Sequence, residues 1–522
     1  MDTHESKECL KEATNCLLFP RPHQCRPMQT NYTVATYLSD CKENILAEIW
    51  SWFQSSVKPM GSGWRDRCLK PMHMQMFEDS VVSLTDRQGN TVDIAEFAWN
   101  IFLVEDRWCL LKVDRERSTA KIKEGTSFHD PGYMPELKRA GAQRVHLVGY
   151  AKSYIHDLVA VLNAQQSAQH PAILQAIAEV NGNFPFQFRK EISGEIIPIN
   201  DRQADAVTSM RRRVEGIQGP PGTGKSTTIY HIAHGCIPLN HRAIIVCIQN
   251  KALESIVLKL QQDKDLIFIV YGNPDRLSSA SKDYTLDAWV IRDAKVVACM
   301  DRADKLEAIT QRMEIDLYKN RNKVRGLGRR HWRKCMQAIA ESTFMALQMD
   351  IESLRAEYER TCTDLDELIE TTRERYINQC RAFVSTVDSV YQIEVRHPAV
   401  LVIDEAGVMP DYKMPFLVLS NPIQAVVAIG DQNQLTAFSY AENFNSFFHR
   451  LTASRHVPML IEQYRMHPTI CDMMEIPAAW WVQCVLLDDT VNVDLLASAG
   501  ADQIPCAGWT NAKTPGYQPK TR

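Results

Sequence analysis

The sequence lacks the usual marks of disulfide-bonded, zinc-binding or membrane-spanning proteins. Its fifteen cysteines are scattered, and none forms a C-x-x-C pair, so neither a disulfide scaffold nor a zinc site is predicted. No run of about eighteen uninterrupted apolar residues occurs, and no apolar signal-peptide core follows the N-terminus. We therefore expect no membrane partner, and a protein with reduced cysteines in the cytoplasm or nucleus.

A charge excess of one sign is also absent. The net charge is −4 over 522 residues, so there is no global basic field and any nucleic-acid surface must be local. An apolar fraction of 45% and a charged fraction of 23% are ordinary for a globular protein. The length predicts about two to four domains, with enough chain to bury a substantial core.

The first 190 residues carry no motif that we can connect with chemistry. Apolar runs at residues 101–104 and 108–113 favour strands, and residues 153–165 favour a helix. These patterns predict an N-terminal accessory α+β region at 1–190. We expect any protein partners to bind through this region.

From about residue 191 the pattern becomes α/β. Continuous apolar runs mark strand candidates at residues 242–248, 266–271, 294–299, 400–403 and 425–429. Continuous runs suit strands that are covered on both faces, so the sequence predicts a parallel sheet with flanking helices. In such sheets ligands bind at the carboxyl ends of the strands.

The strongest functional signal is a G-x-x-x-x-G-K-[ST] loop at residues 219–226. Its glycines allow a tight turn that points backbone N–H groups at a phosphate, and the following helix adds its positive N-terminal end. Lys225 is expected to reach the β- and γ-phosphates, and the Ser226 hydroxyl to bind Mg²⁺. The predicted nucleotide contacts of this segment are Gly219, Pro220, Pro221, Gly222, Thr223, Gly224, Lys225, Ser226 and Thr227.

Two further strand ends carry polar residues that suit hydrolysis of a bound triphosphate. Asp404 and Glu405 follow an apolar strand; Asp404 is expected to hold Mg²⁺ through its water shell, and Glu405 to orient and deprotonate the attacking water. Gln434 follows another strand and is expected to donate to the γ-phosphate or to that water. Lys225, these two acids and Gln434 are predicted to converge on one triphosphate.

Residues 301–380 contain no proline and are predicted to form an inserted helical hairpin. A heptad seam indicates helix pairing; its members are Leu347, Ile351, Leu354, Tyr358, Thr361, Leu365 and Leu368. The predicted tip is basic, with Arg325, Arg329, Arg330 and Arg333 near Trp332. Such a tip suits phosphate contact and base stacking, and it equally suits a solvated helix face.

In order and spacing, these motifs resemble those of superfamily-one helicases, in the branch of the nonsense-mediated-decay RNA helicase and senataxin-like proteins. The resemblance covers roughly 195–470. The matching segments are residues 199–203 for the leading glutamine motif, 219–226 for motif I, 246–253 for motif Ia, 404–407 for motif II, 430–435 for motif III and 463–468 for motif IV.

The resemblance implies a RecA-like lobe that uses ATP and Mg²⁺ and binds single-stranded RNA or DNA. It assigns Gln203 to the adenine edge and Arg465 to the γ-phosphate, and it places Asn250 near the nucleic-acid backbone. Gln249 stands where the family usually has a serine or threonine.

The resemblance ends at motif IV, because the Val-Asp-x-x-Gln-Gly-x-Glu and Thr-Arg-Ala segments of a second lobe are absent. We expect a truncated second lobe. The predicted domains are the accessory region at 1–190, lobe one at 191–300 and 381–455, the inserted hairpin at 301–380, and the start of a second lobe with a tail at 456–522.

Two functions remain open at this point. One is an ATP-dependent nucleic-acid helicase or translocase. The alternative is a motor-deficient module that binds ATP and nucleic acid, or an interaction protein.

Overall fold

The computed structural model describes residues 152–464 except 193, 274–275, 326–330, 394, 435–438, 440 and 442–445. It also describes short stretches between 8 and 17, residues 21–57 except 28, strands between 70 and 150 with residues 88–89, and residues 483–484. For most of the strands before residue 150 and for residues 319–325 and 331–341, it describes the course of the backbone alone. None of the helices in these described ranges is long and apolar enough to cross a membrane.

The N-terminal region contains a helix followed by a closed antiparallel barrel. Helix α1 spans Val34–Val57. The strands are β1 (Lys70–Met76), β2 (Val81–Thr85), β3 (Asn100–Val104), β4 (Arg107–Asp114), β5 (Thr119–Ile122) and β6 (Gln143–Tyr150). Their order around the barrel is β1-β2-β5-β4-β3-β6. Strands β3 and β4 include the two apolar runs that the sequence predicts as strands.

The second sheet is six-stranded and parallel, as predicted. Its strands are β7 (Val214–Gln218), β8 (Arg242–Cys247), β9 (Phe268–Tyr271), β10 (Ala382–Thr386), β11 (Ala399–Ile403) and β12 (Ile423–Gly430). They lie in the order β7-β12-β11-β8-β10-β9. Apolar residues cover both faces, which explains the continuous apolar runs in the sequence. The fold is therefore the predicted RecA-like α/β architecture.

Helices lie before, between and after the strands of this sheet. They are α2 (Lys152–Gln166), α3 (Ala172–Ala178), α4 (Asp201–Thr208), α5 (Lys225–His231), α6 (Asn250–Leu260), α7 (Ser279–Lys282), α8 (Leu286–Ile291), α9 (Ala294–Arg325), α10 (His331–Gln379), α11 (Met414–Leu419) and α12 (Phe447–Ser454). A short pair, β13 (Glu462–Gln463) with β14 (Gln483–Cys484), follows.

The prediction of a strand at residues 294–299 is wrong, because this segment is the first part of α9. Asp293 starts the helix: its side chain accepts the Lys295 N–H at 3.1 Å, and its carbonyl accepts the Val297 N–H at 2.9 Å. Val296 is fully buried and Ala303, one heptad later, is nearly so, which is helical spacing. A short apolar run does not distinguish a buried helical turn from a strand.

Helices α9 and α10 form the hairpin predicted at 301–380. Ile351 and Thr361 on the predicted seam are both only 4% exposed, and the other seam residues are half-buried. Ion pairs between exposed side chains join the helices, including Arg355 with Glu314 at 2.5 Å. The paired helices thus present a mainly apolar seam to each other.

Three N-terminal helices share a core with the parallel sheet. The apolar cluster that includes Ile45 of α1, Leu158 of α2 and Leu174 of α3 also contains Leu401 of β11. The α1 residue Tyr37 donates a hydrogen bond to Asp411 at 2.8 Å. The division of the chain at residue 190 stays a prediction, but these helices pack directly against the sheet.

Candidate nucleotide site

The phosphate loop leaves the carboxyl end of β7 and enters α5. Gly222 and Gly224 have φ angles of 81° and 80°, which is the left-handed region that favours glycine. The Gly219 N–H donates to the carbonyl of Gly430 at 2.7 Å, and the Thr223 hydroxyl donates to the carbonyl of Pro220 at 2.8 Å. The loop is therefore held in shape by the end of β12 and by its own backbone.

A cleft of about 1300 Å³ lies over this loop and the neighbouring strand ends. Among the residues predicted from the sequence, those that line it are Gln203, Pro221, Gly222, Gly224, Lys225, Ser226, Thr227, Asp404, Glu405 and Gln434. Thr223 is fully buried within the loop. Lys225, Asp404, Glu405 and Gln434, which are remote in sequence, thus face one cavity.

Lys225 connects the phosphate loop with the acidic strand end. Its Nζ donates to the carbonyl of Gly219 at 3.0 Å and lies 3.3 Å from Oε1 of Glu405. Only 11% of the Lys225 side chain is exposed, so its charge acts in a partly desolvated cleft. An anion that enters the cleft must compete with Glu405 for this ammonium group.

The two acids differ in environment. Asp404 is 4% exposed, and its pKa is raised to about 7 by burial and by the adjacent Glu405 carboxylate, against the lowering effect of Lys225. Glu405 has a φ of 52°, which is a strained conformation for a residue with a side chain. The Glu405 N–H donates to Oδ1 of Asp404 at 3.0 Å, which fixes the relative position of the two carboxylates.

Gln434 is held beside these acids by the end of β12. Its N–H donates to the Asp431 carbonyl at 3.4 Å, and Oδ1 of Asp431 accepts from the Gln218 side chain at 2.7 Å. A Cβ built on Gly430 would lie 2.7 Å from the Gly407 nitrogen, so the two loops touch through their backbones. Glycine at position 430 therefore permits the close approach of motifs II and III.

Gln203 packs against the phosphate loop. Asn200 and Gln203 form a capping box at the start of α4, and Gln203 is only 3% exposed. The Gln203 side-chain amide donates to the carbonyl of Thr223 at 3.0 Å. In this structure Gln203 therefore braces the loop, while its assignment to the adenine edge stays a prediction.

Tyr464 is a site residue that the sequence analysis missed. Its N–H donates to the carbonyl of Gly222 at 2.9 Å, and its hydroxyl accepts from Nδ2 of Asn200 at 2.5 Å and donates to Glu462 at 2.8 Å. The signal that could have found it is its position in the motif IV segment, directly before Arg465. Arg465 itself lies outside the described residues.

The residues predicted to contact nucleic acid are not brought together by the described part of the structure. Asn250 is the exposed first residue of α6, and the preceding Gln249 lines the cleft. Arg325 ends α9 and Arg333 lies in the first turn of α10, where only the backbone is described. Arg329 and Arg330 lie outside the described residues.

The described residues contain no group of three or more His, Cys, Asp or Glu side chains that could hold a metal by themselves. Mg²⁺ in phosphate-transfer sites usually keeps several waters and takes only one or two protein ligands together with substrate oxygens. The hydroxyl of Ser226 and the carboxylate of Asp404, which face the same cleft, fit that requirement.

The same region is the part of the chain that matches known proteins. Residues 198–442 match the family model described as "AAA domain". The DNA-binding protein SMUBP-2 of Mesocricetus auratus is 30% identical over 101 residues, covering 19% of this chain and 10% of that protein. The DNA polymerase alpha-associated DNA helicase A of Schizosaccharomyces pombe is 28% identical over 137 residues, covering 24% and 20%.

The match to SMUBP-2 of Rattus norvegicus has 29% identity over 140 residues and covers 24% of this chain and 14% of that protein. The chain thus spans a fifth or less of the length of these curated relatives. The solved arterivirus nonstructural protein 10 helicase aligns over 80% of this chain and 58% of its own, with 9% identity and a TM-score of 0.28. A likeness at that level adds nothing to the fold described above.

Proposed function

We propose that this chain, which carries the AAA domain of a superfamily-one helicase, binds ATP with Mg²⁺ and hydrolyses it in response to single-stranded nucleic acid. The observation that carries the proposal is the convergence of Lys225, Asp404, Glu405 and Gln434 on one cleft. The 3.3 Å contact between Lys225 and Glu405 brings the loop lysine and the acidic strand end within reach of one phosphate group. We place the protein in the cytoplasm or nucleus.

The chemistry assigned to the residues that line the cleft follows from their positions, and that of Arg465 follows from the resemblance of motif IV alone. ATP displaces Lys225 from Glu405, so that the ammonium group binds the β- and γ-phosphates and the carboxylate becomes free to accept a proton from water. Ser226 and Asp404 would hold the Mg²⁺, which would neutralise charge on the phosphate oxygens. Gln434 and Arg465 are assigned to the γ-phosphate, where their contacts depend on whether that group is present.

The adenine end of the nucleotide is assigned to the side of the cleft formed by residues 197–203 and Tyr464. Gln203, Ile199 and Pro198 line this side. Tyr464 also lines the cleft, and its hydroxyl accepts a hydrogen bond from the Asn200 side chain. An apolar wall with a few placed polar groups is the usual composition of a base-binding pocket. This supports a base at that end of the cleft, and the assignment to adenine rests on the resemblance of the Gln203 motif.

Nucleic acid is assigned to the edge beside α6 and to the hairpin. Asn250 is exposed at the start of α6, and Arg325, Arg329, Arg330 and Arg333 are clustered in sequence at the turn between α9 and α10. Reversal of Arg329, Arg330 and Arg333 to Glu is expected to weaken single-strand binding and flatten its salt dependence. Equal affinity at several salt concentrations would remove the hairpin from the proposal.

ATP turnover with and without single-stranded RNA or DNA tests the enzyme. The Lys225→Ala variant should lose ATP binding, and Glu405→Gln should keep binding while turnover falls at least about 100-fold, which is the low end of what a positioned proton acceptor supplies. Lys282→Ala, which replaces an exposed lysine that does not line the cleft, is the matched control. Binding of ATP without turnover in the unmodified chain would favour the motor-deficient module, and absence of ATP binding by folded protein would reject both.

A further inference from the structure

A second groove lies at the amino end of the parallel sheet, opposite the phosphate loop. Three consecutive arginines, Arg211, Arg212 and Arg213, directly precede β7, whereas the phosphate loop directly follows it. The five residues of β7 separate the two regions by roughly 17 Å, at about 3.3 Å per residue. The ligand of one region therefore does not occupy the other.

The arginines are held in a short antiparallel ribbon with an aromatic segment. The Phe186 N–H donates to the carbonyl of Arg211 at 2.8 Å, and the Arg213 N–H donates to the carbonyl of Phe184 at 2.7 Å. Pro185 and Arg212 are the bridge partners between them. The arginine side chains are thus presented from a fixed backbone rather than from a free loop.

Beside the ribbon lies a cavity of about 880 Å³ with an aromatic wall. Phe186 packs edge-on against Phe188, with ring centroids 4.7 Å apart, and against His241 at 5.6 Å. Phe186 is half-buried, so part of its ring faces the cavity. We call this cavity and its ribbon the arginine groove. The cavity is lined by Phe186, Phe188, Arg189, Arg213 and His241, and the backbones of Arg211 and Arg212 pair with those of its lining residues Phe186 and Pro185.

Two arginines of this cluster have acidic partners: Arg189 pairs with Glu191, and Arg455 lies 3.7 Å from Glu215. Arg211 and Arg212 are placed differently. Glu215 accepts the backbone N–H groups of Arg211 and Arg212 at 2.7 and 2.8 Å, so this carboxylate holds the turn. Both arginine side chains are exposed, and within the described residues neither takes part in an ion pair. Burial lowers the pKa of the nearby Arg455; Glu215 opposes this shift, and the like charge of Arg212 adds to it.

The positive charge of the cluster also affects Arg381. Burial lowers the pKa of Arg381 to about 10, and Arg189 and Arg242 contribute to this lowering. The Arg381 guanidinium is already committed to main-chain carbonyls, including those of Pro238 at 2.9 Å and His241 at 2.7 Å. Arg211 and Arg212 are therefore the members of the cluster with donors to offer an anionic partner.

We infer that the arginine groove binds a single-stranded segment of nucleic acid, with phosphates on Arg211 and Arg212 and a base against Phe186 and His241. Arginine donors suit phosphate geometry, and an exposed aromatic face suits a base of any sequence. An unstacked strand can place a base into a cavity of this size, whereas a duplex keeps its bases stacked inside. This contact goes beyond the proposed function, which places nucleic acid at the other end of the sheet and on the hairpin.

The test uses the full chain and a fluorescent 15-residue oligo(dT) or oligo(U), with anisotropy measured at several salt concentrations. The Arg211→Glu/Arg212→Glu variant is expected to bind about tenfold more weakly, and the slope of log affinity against log salt should fall by about 1.4 for two lost phosphate contacts. The matched control is Lys264→Glu/Lys282→Glu, which changes the same number of exposed charges elsewhere on the lobe. An unchanged slope in the arginine variant, or an equal loss in the control, would overturn the inference.

Two further measurements locate the bound strand and distinguish it from an acidic protein. Photo-crosslinking with a 5-iodouracil oligonucleotide should label peptides containing Phe186 or His241, and labelling confined to other peptides would overturn the inference. An oligoglutamate peptide of equal charge should compete poorly, because it offers no base to stack; equal competition would assign the groove to an acidic protein instead. All oligonucleotide binding is measured without ATP, so failure of the ATP site and failure of the groove are distinguishable.

Discussion

Replacement of Asp411 by Asn is expected to lower the free energy of unfolding by about 3–5 kcal/mol, because it leaves a buried guanidinium without its partner. The side chains of Arg450 and Asp411 are 1% and 2% exposed, and their atoms meet at 2.5 Å and 3.2 Å. The Arg450 guanidinium also lies 4.9–5.6 Å from the ring centroids of Tyr37, Tyr32 and Phe447, so little water reaches it. Arg450→Met should be destabilising by a similar amount.

Urea denaturation followed by circular dichroism measures these changes and allows a double-mutant cycle. The double variant Asp411→Asn/Arg450→Met removes both charges but keeps an acceptor for Tyr37, so it should recover about 2 kcal/mol or more of the summed losses. Asp287→Asn, which breaks an exposed pair with Arg373, is the control and should change stability by less than about 1 kcal/mol. Additive losses below about 1 kcal/mol for each buried substitution would refute the reasoning.

Three more outcomes are expected. Gly430→Ala should lower stability by roughly 1–3 kcal/mol in thermal unfolding, because its Cβ would lie 2.7 Å from the Gly407 nitrogen; an unchanged melting temperature would contradict this. Burial raises the pKa of Asp404 from 3.8 to about 7, so the folded state binds its proton more tightly and the free energy of unfolding falls as the pH rises between these values. Asp404→Asn should flatten this part of the stability–pH curve. The same slope in the variant and the unmodified chain would contradict this. Glu48 accepts the Ala441 N–H at 2.9 Å, so Glu48→Ala should speed hydrogen exchange of that amide, and equal protection would contradict the assigned contact.

The nucleotide site could be predicted because its parts are local motifs at strand ends. A parallel sheet brings the carboxyl ends of its strands to one edge, so the placement of Lys225, Asp404 and Gln434 in a single cleft follows from the α/β pattern. The seam of the hairpin is likewise a periodic signal, and Ile351 and Thr361 confirm it. Where a signal repeats or lies within one element, it can be recognised in the sequence.

The errors and omissions have physical reasons. The strand prediction at residues 294–299 fails because six residues are too few for the helical period to show. The hydrogen bond between Asn200 and Tyr464 joins residues 264 positions apart, and no local pattern marks it. The same holds for the contact between Tyr37 and Asp411, which packs α1 against the segment after motif II. The left-handed backbone of Glu405 is imposed by its surroundings rather than by its residue type.

The length of α10 gives the hairpin the properties of a lever. Its 49 residues extend for roughly 70 Å at about 1.5 Å per residue. At its base, Arg373 pairs with Asp287 of α8 and Arg375 pairs with Asp293 at the start of α9, and the chain then passes directly into β10. A rotation of about 5° at this base would displace the far end by roughly 6 Å, about the pitch of one helical turn. A small change of angle at the base of the hairpin would therefore become a displacement of several ångströms at its far end.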